Sequence, residues 1–208
     1  MEIGLVNSVS STSEVKSVKN TAYTQDSQQK VDYSNYSIAD LRKIPYEEAK
    51  SNYDAIMNRS LELDTGDSSA KALGDLTAQL AATKITDNES FGKSLYGALQ
   101  NIQDGAATNA FFEVMQNLKD YASGIQDVKP SWMVSNDQIH SDKDLTRSQI
   151  NSIDFSDFIS KMASGFSNQL ADASKAQDEV KKQYQNIVDS YSTLQKSYES
   201  EVRKPYYG

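Results

Sequence analysis

The last fifty residues constrain this chain most. From Ile159 to Val202 apolar side chains recur at spacings of three and four: Ile159, Met162, Phe166, Leu170, Ala173, Val180, Tyr184, Ile187, Tyr191, Leu194, Tyr198 and Val202. That period belongs to a helix with one greasy face. Tyr184, Tyr191 and Tyr198 fall seven apart, with Ile187 and Leu194 in the alternate register, which makes a seam of the kind that pairs helices in a coiled coil. Asp154 caps the start, and Arg203, Lys204 and Pro205 suit the end. The pattern predicts one long amphipathic helix over 154–204, reaching roughly 70 Å if straight. A kink near Gly165 or around Ser174 is compatible with it. A rod of that length needs cover: neighbouring helices, a fold back on itself, or another chain.

Four shorter helices are predicted in 37–125. Ser37 and Asp40 form a capping-box pattern before a short turn through Lys43. Pro45 suits a helix start, and Tyr46, Ala49, Tyr53, Ile56 and Met57 make one stripe, ended by Asp64-Thr65-Gly66-Asp67. Leu73, Leu76 and Leu80 mark the second helix. Phe91, Leu95, Leu99 and Ile102 mark the third, with Asp87 as its cap. Phe111, Met115, Leu118, Ala122 and Ile125 mark the fourth. Gly92 and Gly97 inside the third imply close backbone approach or a weak helix. Residues 126–153 read as an irregular linker holding Pro130 and Trp132-Met133-Val134, with a short helix starting near Ser141; residues 205–208 read as a tail. The fold class expected is all-α: a helical bundle with one long C-terminal, coiled-coil-like helix.

Residues 1–36 differ. Seven Ser, three Thr, three Asn and three Gln interrupt isolated Val and Tyr residues, with no lasting period. Such a stretch buries too little apolar area to offset its ordering entropy, so a disordered N-terminal segment is expected.

Chemistry is mostly excluded. The chain has no Cys, which removes disulfides, thiol catalysis and Cys-ligated metals. His140 is the sole histidine, and it reads as an exposed loop residue without a metal cluster or a Ser-His-Asp set around it. Asp64-Thr65-Gly66 repeats the aspartic-protease triplet but occurs once and reads as a helix stop. Asp137, Asp142 and Asp144 lack a terminal Glu at calcium-loop spacing. Glycine-rich phosphate loops are absent. No catalytic residue, cofactor or metal site is therefore assigned. A net charge of −8 disfavours nucleic acid and anionic lipid as partners. No stretch is apolar for long enough to span a bilayer, and the N-terminus lacks the pattern of a cleaved signal.

What remains is protein binding. Twelve tyrosines in 208 residues are unusual. Tyr184, Ile187, Tyr191, Leu194 and Tyr198 either fill this chain's own core or dock a partner, including a second copy in a homo-oligomer. Trp132 is either an anchor for its loop or an exposed hot spot.

The Ser/Thr/Asn-rich N-terminus, the absence of Cys, and the terminal amphipathic helix after Asp154-Phe155-Ser156-Asp157-Phe158 together resemble small proteins exported by the flagellar type III apparatus of campylobacter-like bacteria. The resemblance implies export without signal cleavage and a helical, protein-binding role. The chain departs from axial subunits, because its N-terminus carries no long heptad helix to pair with the C-terminal one. The function expected is a non-enzymatic interaction protein, secreted without a cleaved signal. The alternatives are a small hydrolase with a carboxylate-lined cleft, or a cytoplasmic adaptor or chaperone of an exported partner.

Overall fold

The computed structural model describes residues 31–102, 104–133, 140–173 and 177–204. Among the described residues all regular structure is helical: α1 (Ile38–Arg42), α2 (Tyr46–Ser51), α3 (Tyr53–Glu62), α4 (Ala70–Ala81), α5 (Glu89–Gln100), α6 (Ala106–Ala122), α7 (Arg147–Asn151), α8 (Phe155–Asp172) and α9 (Asp178–Arg203). None of these helices is long and apolar enough to cross a membrane. The N-terminal expectation for 1–30 and the tail expectation for 205–208 lie outside the described residues.

Packing starts earlier than Ser37. Tyr33 is buried, packs edge-on against Tyr36 at 5.3 Å, and donates its hydroxyl to Glu48 Oε1 at 3.0 Å. One ring with a satisfied hydroxyl outweighs the polar composition around it.

Local chemistry explains several helix boundaries. The Ser37–Asp40 box caps α1, and Asp154 Oδ1 accepts Asp157 N–H at 3.1 Å to cap α8. Pro45 is the N-cap of α2 rather than its first helical residue. The single helix expected after Pro45 breaks at Asn52, whose backbone leaves the helical well at φ −114°, ψ 24° while its side chain donates to Glu48 O. Asp64-Thr65-Gly66 is a stop, with Gly66 at φ 80° and its N–H donating to Asp64 Oδ1 at 2.9 Å. The cap of α5 is Asn88, not Asp87: Asn88 Oδ1 accepts from Phe91 N–H at 2.9 Å. Asp87 instead receives Arg147 and Asn151, pinning α7, which starts beyond Ser141 behind a Thr146–Gln149 capping box.

The C-terminal rod is two helices. α8 ends at Asp172, and Gln177 is already extended (ψ 147°) before α9. The two helices pack on one another along their lengths. Phe166 stacks on Tyr191 at 5.6 Å, and Phe158 meets the same ring edge-on at 6.2 Å. Folding back buries both halves of the stripe at once, which a straight rod of one chain cannot do. Phe91 of α5 completes this cluster, stacked on Phe155 at 4.0 Å. Gly92 permits the approach of α5, since a Cβ there would stand 2.6 Å from Tyr46 Oη and 3.3 Å from Ala82 O. Gly97 faces open space.

At the junction of α5 and α6 a buried ion pair satisfies two helix ends. Arg42 Nη2 donates to the carbonyls of Leu99 and Gln100 at 2.8 and 3.3 Å, and to that of Ile102. Asp75, fully buried in α4, accepts N–H groups of Gly105, Ala107 and Thr108 at 2.9, 3.0 and 3.2 Å. Arg42 Nη1 lies 3.7 Å from Asp75 Oδ2. Gln79 accepts from Arg42 Nε at 3.2 Å and returns a bond to Arg42 O at 2.9 Å, where Gln100 also donates. The positive group thus meets the carbonyl end of α5 and the negative group the amide end of α6.

Asp75→Ala is expected to lower the unfolding free energy by about 3–5 kcal/mol, because it strands a buried cation and three amides. Urea melts of Asp75→Ala, Arg42→Ala and the double variant check this. The double variant should lose clearly less than the sum of the singles.

Candidate functional site

The residues singled out for partner binding are mostly inside the molecule. Tyr184, Ile187, Tyr191 and Leu194 are buried within this chain, and Tyr198 is half-buried. The seam is therefore not a free docking strip: α8, α5 and α6 already cover it. Burial and lost hydration raise the Tyr191 hydroxyl well above the usual tyrosine range. Trp132 alone of the six is exposed, at 43%, and it sits edge-on against Tyr184 at 5.8 Å. It anchors its loop and still presents indole surface. Met133 beside it is 38% exposed.

What holds Trp132 there is a polar row on α6. Glu113, Gln116, Asn117 and Asp120 follow helical spacing, and three of them are buried. Glu113 Oε2 accepts Ser131 N–H at 2.8 Å. Asn117 Nδ2 donates to Glu113 Oε1 and to Tyr191 Oη, both at 2.9 Å. Asp120 Oδ1 accepts from Ser141 N at 2.7 Å and from Gln116 Nε2 at 3.0 Å, and Gln116 Nε2 also reaches Ser141 O at 3.0 Å. His140 is not the exposed loop histidine its sequence context implied. Its Nδ1 lies 2.6 Å from Asp120 Oδ2 and its Nε2 lies 3.0 Å from Pro130 O. The row joins both described flanks of the linker, and α9, to one helix face.

This row has a sequence signal that the apolar stripe hid. The stripe Phe111, Met115, Leu118, Ala122 and Ile125 predicts one buried face. In the fold, Val114, Asn117 and Leu118 lie on that face while Phe111 and Met115 are half-buried and Ala122 is exposed. The helix is turned so that its Glu–Gln–Asn–Asp period points inward. Buried polar groups require partners, and the linker supplies backbone ones.

The linker also crosses α8 closely. A Cβ on Gly165 would stand 2.7 Å from Val128 Cγ2 and 2.8 Å from its Cβ, and Gln169 Nε2 donates to Val128 O. Lower down, Tyr121 Oη donates to Asp157 Oδ2 at 2.6 Å; that bond, helped by burial, pushes the phenol up to about 12. Lys119 pairs with Asp144 at 2.7 Å.

An open groove of about 420 Å³ runs between Tyr36, Asp40, Lys43, Ile44 and Glu48. Its two carboxylates are committed. Asp40 takes the Ser37 hydroxyl and amide, which hold it below the usual carboxylate range, and Glu48 takes Tyr33. Among the described residues no three His, Asp or Glu side chains gather at metal-holding distances. Comparison with known families, curated proteins and solved structures returns no match.

Gly165→Ala is expected to destabilise the protein despite a helix-propensity gain of about 1 kcal/mol, because Val128 must move. Gly97→Ala, with nothing to meet, should instead gain up to about 1 kcal/mol. Paired thermal or urea melts give opposite signs if the close crossing is as described.

Proposed function

We propose that this chain is a non-enzymatic, helical protein-interaction module, a bundle closed by a coiled-coil-like α8–α9 hairpin. In this reading it is exported through a flagellar or related type III channel. One observation carries the docking part: the tyrosine seam is consumed internally, whereas Trp132 and Met133 remain 43% and 38% exposed side by side on a loop tethered at several points. A large rigid side chain on a fixed loop loses little entropy on binding, and tryptophan is enriched where binding energy concentrates. The docking surface therefore moves from the helix seam to the Trp132–Met133 loop. Leu61, Phe112 and Val202 are also exposed, but single exposed apolar residues are ordinary.

The partner in this reading is a protein with an apolar recess rimmed by basic side chains, complementary to a chain of net charge −8. The export part rests on residues 1–36 and on the resemblance of the whole chain, with the N-terminus as the address.

Two measurements separate the parts. Residues 1–36 fused to a reporter should leave cells that have a working type III apparatus; retention removes export and favours the cytoplasmic adaptor or chaperone. For a partner recovered with the full chain, Trp132→Ala should weaken binding by at least tenfold, about 1.4 kcal/mol. Tyr198→Ala at the half-buried end of the seam should leave it nearly unchanged. The reverse ranking would return docking to the seam.

A further inference from the structure

His140 faces two groups that both accept hydrogen bonds. The Pro130 carbonyl, 3.0 Å from Nε2, has no proton to give. The Asp120 carboxylate, 2.6 Å from Nδ1, has none when ionised. A neutral imidazole donates from one nitrogen only, so one of these contacts would set lone pair against lone pair. The geometry is satisfied when the ring is an imidazolium, or when Asp120 holds the proton and the ring donates from Nε2. Either way the pair carries one proton more than imidazole and carboxylate do. The other Asp120 oxygen cannot take up the slack, because Ser141 N–H and Gln116 Nε2 already donate to it.

We propose that His140 is a protonation-dependent clasp that holds Pro130–Trp132 and Ser141 against α6. The clasp is complete while the His140–Asp120 pair keeps its extra proton, and it loses a hydrogen bond when that proton leaves. Contact with Asp120 is severe in its demands, since that carboxylate is only 5% exposed and an unpaired buried charge is costly. Among the described residues His140 is the one basic group within ion-pair distance of it. The other groups facing the pair do not replace the proton. From α6, Glu113 is bonded to Asn117 and Ser131, and Lys119 is bonded to Asp144. From α9, the Tyr191 hydroxyl takes the Asn117 amide. From α8, Asp157 is taken by Tyr121.

The contacts are whole at low pH, where the pair keeps its extra proton, and weaker at high pH, where that proton is lost. Histidine is the side chain that ordinarily changes charge between about pH 5 and 8. Trp132 lies two residues beyond the Pro130 carbonyl, so loss of the His140 bond leaves Ser131 N–H on Glu113 as the loop's tie to α6 there and loosens the indole against Tyr184. This holds whether or not a partner docks on Trp132.

The chain is its own reporter, with one His and one Trp. Acrylamide quenching of Trp132 in the full-length protein, from pH 5 to 8.5, is read beside the ring-proton NMR signal of His140. The indole should become more accessible with rising pH, at the same midpoint as the ring. The clasped-to-released ratio should fall roughly tenfold or more, the scale of one hydrogen bond to a charged group. His140→Gln should abolish the transition. Asp120→Asn tests the logic without removing the ring: an amide nitrogen in place of Oδ2 donates to the Nδ1 lone pair, while Oδ1 keeps Ser141 and Gln116. That variant should stay clasped at pH 8.5. The proposal is overturned if Trp132 accessibility is flat in folded wild type, if His140 does not titrate in this range, or if His140→Gln reproduces the wild-type transition. It is equally overturned if Asp120→Asn opens at pH 8.5 as wild type does.

Discussion

Arg42 and Asp75 meet where α5 ends and α6 begins, and together they hold α1, α4, α5 and α6 in place. A helix end leaves carbonyls or amides unpaired, and a buried end must find partners for them. Here two ends of opposite polarity lie side by side, and one side chain of the opposite charge serves each. Neither residue belongs to α5 or α6: Arg42 comes from α1 and Asp75 from α4. Their placement therefore locks four helices with a handful of bonds. Gln79 and Gln100 close the remaining valences, so little polar capacity is left over.

A second polar device organises the other half. The inward row of α6 collects an irregular linker by its backbone, and this leaves Trp132 and Met133 at the surface. Asn117 ties the row to Tyr191, the ring at the centre of the α8–α9 contact. Tyr191, one of the seam residues that could have docked a partner, is fully engaged within the chain. One hydrogen bond thus joins the polar row to the aromatic cluster, and the exposed Trp132 is held by the row through Ser131 and by the Tyr184 ring of α9.

Much of the helical content was legible because its signals are local. The stripes of α4 and α5, the caps at Ser37 and Asp154, and the stop at Gly66 each depend on residues within one or two turns. Boundaries that failed did so where two local signals competed. Asp87 and Asn88 both suit a cap, and the choice was made by Arg147, sixty residues away, which claims Asp87. Asn52 interrupts a clean stripe through its own side-chain bond. The face of α6 was misread because five apolar residues outweighed four polar ones, although the polar set had the helical period as well. His140 gave no signal, since its partners at Asp120 and Pro130 are joined only by the fold.

By itself the sequence determined an all-helical chain, because the period of apolar residues is a property of neighbours along a helix. It also determined the absence of thiol chemistry, because no cysteine is present to supply it. Tertiary structure decided whether the C-terminal stripe would meet its own chain or another, since a stripe states how much surface must be covered and not by what. It likewise decided which charges would be buried together. A charge pair such as Arg42 with Asp75, or His140 with Asp120, forms across loops whose path no local pattern encodes.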